Sequence, residues 1–145
     1  LKATPKFSDS GNWSFDFNCY HLDEDLVKKG WAFRLPTGSW APNMGNGGKE
    51  LLEKNALHFF SLVSKNSEGW AITVDDTIGD ERYRQRRLFY CMARESKAIC
   101  GESVLGYIEF IENKRNFNPT PYALRMLREI EFLEDAAPTS DPSKR

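Results

Sequence analysis

A chain of 145 residues is the size of one ordinary domain, and at 40% hydrophobic and 13% aromatic it holds enough apolar material for one core. Lys and Arg number 20 against 21 Asp and Glu, so the net charge is −1 and no global basic field exists to recruit nucleic acid or an anionic membrane. Mean hydropathy is −0.58, and no apolar run approaches the ~20 residues a helix needs to span a bilayer, so no membrane span is expected. The sequence starts at Leu1 with no leader, which leaves secretion, and a lipid anchor on a longer precursor, open.

In chain order, residues 1–11 are polar and turn-forming and predict a loose N-terminus. Trp13 to Tyr20 alternates, with Trp13, Phe15, Phe17 and Cys19 on one face, the pattern of a half-buried strand. Asp23 to Lys29 is charged and predicts a helical turn before Gly30. Trp31 to Leu35 alternates again until Pro36 ends it as a strand. Residues 36–49 contain four Gly and two Pro and predict a long loop, a kind of segment that is often functional. Glu50 to Lys54 is short and ambiguous.

Leu57 to Val63 and Trp70 to Val74 read as strands joined across Ser64–Gly69, and Asp75 to Asp80 as a turn. Tyr83 to Ala93 and Lys97 to Phe110 form a long hairpin in which Gly101 and Gly106 mark bulges or bends. After a polar connection over Asn113–Asn118, Thr120 is the predicted N-cap of a helix and Pro121 its first residue. Ala123, Met126, Leu127, Ile130 and Leu133 make its apolar stripe, with Arg125, Arg128, Glu129 and Glu131 mostly away from it. Residues 136–145 are rich in Pro, Ser and charge and read as a disordered tail. The expected fold is α+β and β-dominated: one domain over 1–135, an antiparallel sheet of hairpins with a C-terminal packing helix.

Three cysteines are present, Cys19, Cys91 and Cys100. If the long hairpin turns at Glu95-Ser96, Arg94 faces Lys97, Ala93 faces Ala98 and Cys91 faces Cys100. Counting outward, 94:97 is a hydrogen-bonded pair and 91:100 is not. Non-hydrogen-bonded pairs bring Cα atoms to about 4.5 Å, within reach of a disulfide. The register therefore predicts a Cys91–Cys100 bridge and leaves Cys19 free and buried in its strand. A bridge implies an oxidising compartment; the alternative is three inert thiols in a reducing cytosol.

Catalytic and metal chemistry find little footing. Met44 to Glu50 looks like a phosphate loop, but Asn43 stands where its first Gly belongs and Glu50 where Ser or Thr belongs. Cys19 and His21 share a strand face and form a conceivable nucleophile–base pair; the competing reading is an aromatic core face capped by His21. His58, out of phase with Phe59, reads as solvent-side. No C-x-x-C or H-x-x-x-H spacing occurs, and no metal or cofactor is expected. Asp75 and Asp76 could hold calcium at a turn, though a solvated turn is the simpler reading. Glu102, Glu109 and Glu112 are carboxylates without a distinguishing pattern. Arg82, Arg84, Arg86 and Arg87 form the one basic cluster, either an anion site or a solvated strand face balanced by Glu81, Glu102 and Glu109. Trp40 in the Gly-rich segment reads as an interface anchor or as a cover for the core.

One resemblance emerges from Leu88-Phe-Tyr-Cys-Met-Ala-Arg-Glu-Ser-Lys-Ala-Ile-Cys-Gly101, Tyr107-Ile-Glu-Phe-Ile-Glu112 and Pro121-Tyr-Ala-Leu-Arg-Met-Leu-Arg-Glu-Ile-Glu-Phe-Leu133. This cysteine hairpin followed by a Pro-Tyr…Leu-Arg…Ile-Glu-Phe helix resembles the C-terminal half of small periplasmic immunity proteins encoded beside effectors of bacterial type VI secretion systems. The resemblance implies a periplasmic, non-enzymatic protein that binds a cognate secreted toxin, an enzyme acting on peptidoglycan or phospholipid, and blocks its active site. It carries over no contact residues.

The residues expected to contact such a partner therefore come from physical reasoning. They are Thr37, Gly38, Ser39, Trp40, Asn43 and Met44 of the Gly-rich segment, and Arg94, Glu95, Ser96 and Lys97 of the hairpin tip. A disulfide-pinned hairpin holds such a tip in a fixed conformation, which lowers the ordering cost of binding. The competing classes are a small secreted enzyme or hydrolase accessory using Cys19 and His21, and a cytosolic protein-binding adaptor with reduced thiols.

Overall fold

A computed structural model describes residues 15–24, 30–113 and 118–134. The readings over residues 1–11 and 136–145, at Trp13, and over most of the turn before Gly30 lie outside the described residues. Strand β1 is Asp16–His21, β2 Ala32–Arg34, β3 Trp40–Pro42, β4 Leu57–Val63, β5 Glu68–Asp75, β6 Gln85–Arg94 and β7 Lys97–Tyr107. The helices are α1 (Gly48–Glu53), α2 (Ile108–Asn113) and α3 (Thr120–Arg128), with a 3₁₀ turn at Glu81–Tyr83.

Strands β4 to β7 form an antiparallel meander, and β1 adds to its far edge in the order β1-β7-β6-β5-β4. Strands β2 and β3 make a separate two-stranded sheet. The architecture is the β-dominated α+β fold the patterning predicts, with the C-terminal helix packed on the sheet.

The central strand β6 reads Leu-Phe-Tyr-Cys-Met-Ala without polar alternation because both its faces are covered. On one face Phe15, Leu62, Ala71, Leu88, Tyr90 and Met92 are buried against Ala123, Leu124 and Leu127 of α3. On the other, Leu57, Trp70, Ile72, Cys91, Ala93, Ala98 and Cys100 are buried with Ala32 of β2 and Trp40 of β3. The result is three layers: helix, sheet, small hairpin.

Several local expectations change. The segment 36–49 is not one long loop but a tight turn, strand β3 and the start of α1. Gly38 (φ 90°) shapes the first turn, closed by Gly38 N–H donating to Leu35 O at 2.9 Å and Leu35 N–H to Ser39 O at 2.8 Å. Trp40, 8% exposed, holds β3 in place by burial, a tertiary effect that outweighs the Gly- and Pro-rich composition around it. The long hairpin is shorter than predicted: Tyr83 lies in the 3₁₀ turn, and Ile108–Asn113 is helical rather than the end of a strand.

Gly101 lies in regular register with Tyr90 and Phe17, so it is no bulge. It is Gly because a Cβ there would lie 1.8 Å from Asp16 O and 2.4 Å from the Tyr90 hydroxyl. The irregularity is at Gly106 (φ 140°), where the register shifts between Arg86 and Arg87. Thr120 is the first residue of α3 and not its cap, a position held by Pro119; Asn118 Oδ1 accepts from Thr120 N–H at 3.0 Å. Leu124 joins the predicted stripe as a buried residue, while Leu133 is 85% exposed because the helix stops at Arg128.

Candidate functional site

The long hairpin turns where the register demanded. Arg94 pairs with Lys97, Ala93 with Ala98 and Cys91 with Cys100, and the two sulfurs are bonded across a Cα separation of 4.0 Å. Glu95 takes the left-handed conformation (φ 55°) that a two-residue turn requires. Leu22 N–H donates to Ser96 O at 2.8 Å, so the end of β1 is tied to the tip. Cys19 is free, as expected, but exposed rather than buried: β1 is an edge strand, and the covered part of its face ends with Phe15 and half-buried Phe17.

The turn between β2 and β3 comes to the same end of the sheet. Arg34 Nε donates to Gly38 O at 3.0 Å, the hydroxyls of Thr37 and Ser39 are 2.9 Å apart, and the Arg34 guanidinium lies 5.5 Å from the Trp40 ring centroid. Arg34 also ion-pairs with Glu68 at the start of β5. Between the two turns is a cavity of about 660 Å³ lined by His21, Leu22, Asp23, Phe33, Arg34, Trp40, Glu95 and Ser96. Arg34 and Glu95 also line a second groove of about 350 Å³ that runs past Val63–Glu68 to Ala93 and Arg94.

That neighbouring region is firmly built. Asn66 exchanges hydrogen bonds with the Phe132 backbone at 2.7 and 3.0 Å, and Arg94 donates to Phe132 O at 3.1 Å. The chain after α3 thus straps the β4–β5 turn to the hairpin tip.

Of the expected contact residues, Thr37, Gly38, Ser39 and Trp40 gather at one turn and Arg94, Glu95, Ser96 and Lys97 at the other, with Trp40, Glu95 and Ser96 lining the shared cavity. Asn43 and Met44 are at the opposite end of β3. Asn43 there donates to Trp31 O and Gly30 O and accepts from Gly45 N–H, fixing the entry to α1. Trp40 is a core residue whose ring forms one wall, not a projecting anchor. Phe33 and Arg34, which the sequence reading missed, flank the turn and line the cavity. Their only advance signal was an exposed-phase Arg beside the Pro-Thr-Gly turn.

Elsewhere, the basic cluster finds acidic partners. Arg86 makes a two-point pair with Asp75 at 2.6 and 2.8 Å, both side chains 13% exposed, and this contact pushes the guanidinium pKa up. Arg82 pairs with Asp80, whose carboxyl its hydrogen bonds hold below the ordinary value; Arg84 donates to Gly79 O; Arg87 is 3.8 Å from Asp76. The basic cluster is therefore balanced mainly by Asp75, Asp76 and Asp80; of the expected glutamates, Glu81 is 3.9 Å from Arg84 and Glu109 acts on Arg82 through its charge alone. Asp75 belongs to β5 and serves Arg86. His58 Nε2 donates to Asn55 Oδ1 at 3.2 Å. Among the described residues the Cys19 and His21 side chains make no hydrogen bond to each other; His21 contributes its backbone N–H to Glu24 at 2.9 Å.

No group of three or more His, Cys, Asp or Glu among the described residues could hold a metal ion, and no described helix is long and apolar enough to cross a membrane. The Cys91–Cys100 bridge fits an oxidising compartment. No family model, curated protein or solved structure matches the chain.

Proposed function

We propose that this protein is a non-enzymatic inhibitor that binds a partner protein with the end of the molecule where its two hairpin turns meet. The observation that carries the reading is the convergence of two turns distant in sequence, Thr37–Trp40 and Arg94–Lys97, at one end of a disulfide-braced sheet, where Trp40, Glu95 and Ser96 line one cavity. Such a surface is already ordered before binding, which is how a small protein binds tightly through limited area. Its charges, Arg34, Asp23 and Glu95, are exposed and of both signs, suited to setting register with a partner of complementary pattern.

The family that the hairpin and helix segments resemble supplies the partner: a toxin delivered by a type VI secretion system that hydrolyses peptidoglycan or phospholipid, met in the periplasm. The test is co-purification with the product of the neighbouring gene. A complex is expected, together with loss of the toxin's hydrolytic activity on mixing. The variants Glu95→Lys and Ser96→Trp, at an exposed tip, are expected to keep the melting temperature and weaken the complex at least tenfold. Absence of a complex, or one indifferent to both variants, overturns the reading.

A further inference from the structure

The outer strands of an open sheet present backbone groups that another strand can pair, and folded proteins guard such edges with charge, Pro or a bulge. The two edges of this sheet are guarded differently. On β1, Leu22 N–H donates to Ser96 O, so the even-numbered residues bond into the sheet and Phe17, Cys19 and His21 turn their backbone groups outward. That edge carries Asp16, and the Glu24 carboxylate takes the outward N–H of His21 at 2.9 Å.

Strand β4 has no such protection. Its sequence, Leu-His-Phe-Phe-Ser-Leu-Val, holds no Asp, Glu, Lys, Arg, Pro or Gly, and it pairs with β5 from Leu57 to Val63 without a register shift. Just beyond its two ends, Asp75 N–H donates to Ala56 O and Ser64 N–H to Ser67 O, each at 2.8 Å, so here too the even-numbered residues bond inward. The backbone N–H and C=O groups of Phe59, Ser61 and Val63 therefore point away from the sheet and have no partner among the described residues. Beside them the Ser61 side chain is exposed, and Val63 is an apolar residue 69% exposed. The cations that flank the strand are already engaged: Lys54 pairs with Glu50 at 2.6 Å and Lys65 with Glu131 at 2.7 Å.

We propose that β4 pairs antiparallel with β4 of a second copy of this chain, about a two-fold axis between the two copies of Ser61, so that one sheet runs through both molecules. Outward backbone groups at strand spacing take a strand. The sequence selects the same strand as the occupant, because this register is complementary to itself. Ser61 faces the partner's Ser61, and Phe59 faces the partner's Val63; both are pairs that exchange two backbone hydrogen bonds. On the helix face Phe60 meets the partner's Leu62. Exposed Val63 thus gains an aromatic neighbour, and no charges are set opposite one another. The axis stands perpendicular to the sheet, so hairpin layer meets hairpin layer and helix layer meets helix layer. The same construction on β1, centred on Cys19, sets Phe17 against His21, whose N–H is taken. An edge of this length is a small interface beside the about 800 Å² per partner of a standard one, so the dimer dissociates on dilution. It does not rest on the role given to the hairpin tips.

The test is sedimentation of the full chain from micromolar to millimolar concentration, with the exposed Cys19 alkylated so that no intermolecular bridge contributes. The mass is expected to rise from 16.7 kDa toward twice that value. Ser61→Lys sets two like charges face to face at the axis, and is expected to weaken the dimer about fivefold or more at an unchanged melting temperature. Hydrogen exchange of the wild-type chain supplies a measurement that needs no variant. Protection of the Phe59, Ser61 and Val63 amides is expected to rise with concentration, while that of Phe17 and Cys19 stays constant. A monomer mass over the whole range, a dimer indifferent to Ser61→Lys, or protection gained at Phe17 and Cys19 overturns the proposal. Protection of β4 that appears only when the partner of the hairpin tips is added assigns the edge to that partner and overturns it as well.

Discussion

Tyr90 shows how much one side chain organises. Its ring meets Phe15 and Phe17 edge-on at 5.6 and 5.7 Å, and its hydroxyl donates to the backbone carbonyl of Asp16 at 2.8 Å. Gly101 stands between them in register, because any larger residue would occupy the space of that hydroxyl. Removing the donor strands a carbonyl on the edge strand, so Tyr90→Phe is expected to cost about 1–2 kcal/mol in urea unfolding. Burial, helped by the nearby negative Asp16, pushes the Tyr90 phenol well above its ordinary 10.0. A raised phenol pKa means the neutral form is favoured in the folded state. The contribution is fully present below pH 10 and is lost as the pH rises beyond it. A spectrophotometric titration is expected to show one of the five tyrosines silent while the fold persists, then titrating as the protein unfolds. In Tyr90→Phe that silent step disappears.

At the scale of elements, the β6–β7 hairpin was the most legible part of the chain, and the reason is geometric. A two-residue turn fixes every pair behind it, so two cysteines placed symmetrically about Glu95-Ser96 had to meet. The bridge makes two expectations. Denatured, unreduced protein should titrate with one thiol, and the native protein with the same one because Cys19 is exposed; three thiols would remove the oxidising-compartment argument. Replacing both Cys91 and Cys100 by Ala should cost about 2–3 kcal/mol of stability, the usual worth of closing a short loop. Helix α3 was legible for a similar reason, its apolar residues recurring at helical spacing, although it starts one residue earlier than predicted. The free N–H of Thr120 at that start is taken by the Asn118 side chain, so Asn118→Ala is expected to destabilise by about 1 kcal/mol in thermal melts.

Other elements were hidden for physical reasons. Strand β3 is three residues long and exists because Trp40 is buried, which no local pattern announces. Alternation in β1 told which residues share a face, but not how far the covering layer reaches, and so it misjudged Cys19.

At the scale of the molecule, the candidate site depends on contacts between distant parts of the chain. Arg94–Lys97 was visible as a turn and Thr37–Trp40 only as part of a long loop; that Trp40, Glu95 and Ser96 line one cavity follows from the β2–β3 hairpin lying across the disulfide face of the sheet, information that resides in packing.

The same topology has a kinetic consequence. Strands β4 to β7 each pair with their neighbour in sequence, whereas β1 pairs with β7 across the span from residue 16 to residue 102. Local pairings close quickly and long-range ones slowly, so the meander assembles first and β1, though made earliest, docks last. During that interval β7 offers an open edge of unpaired backbone groups, a template for a strand of another chain. The protein is thus most exposed to misassociation when its sheet is four-fifths built, and Phe15 and Tyr90, by capturing β1, end that exposure.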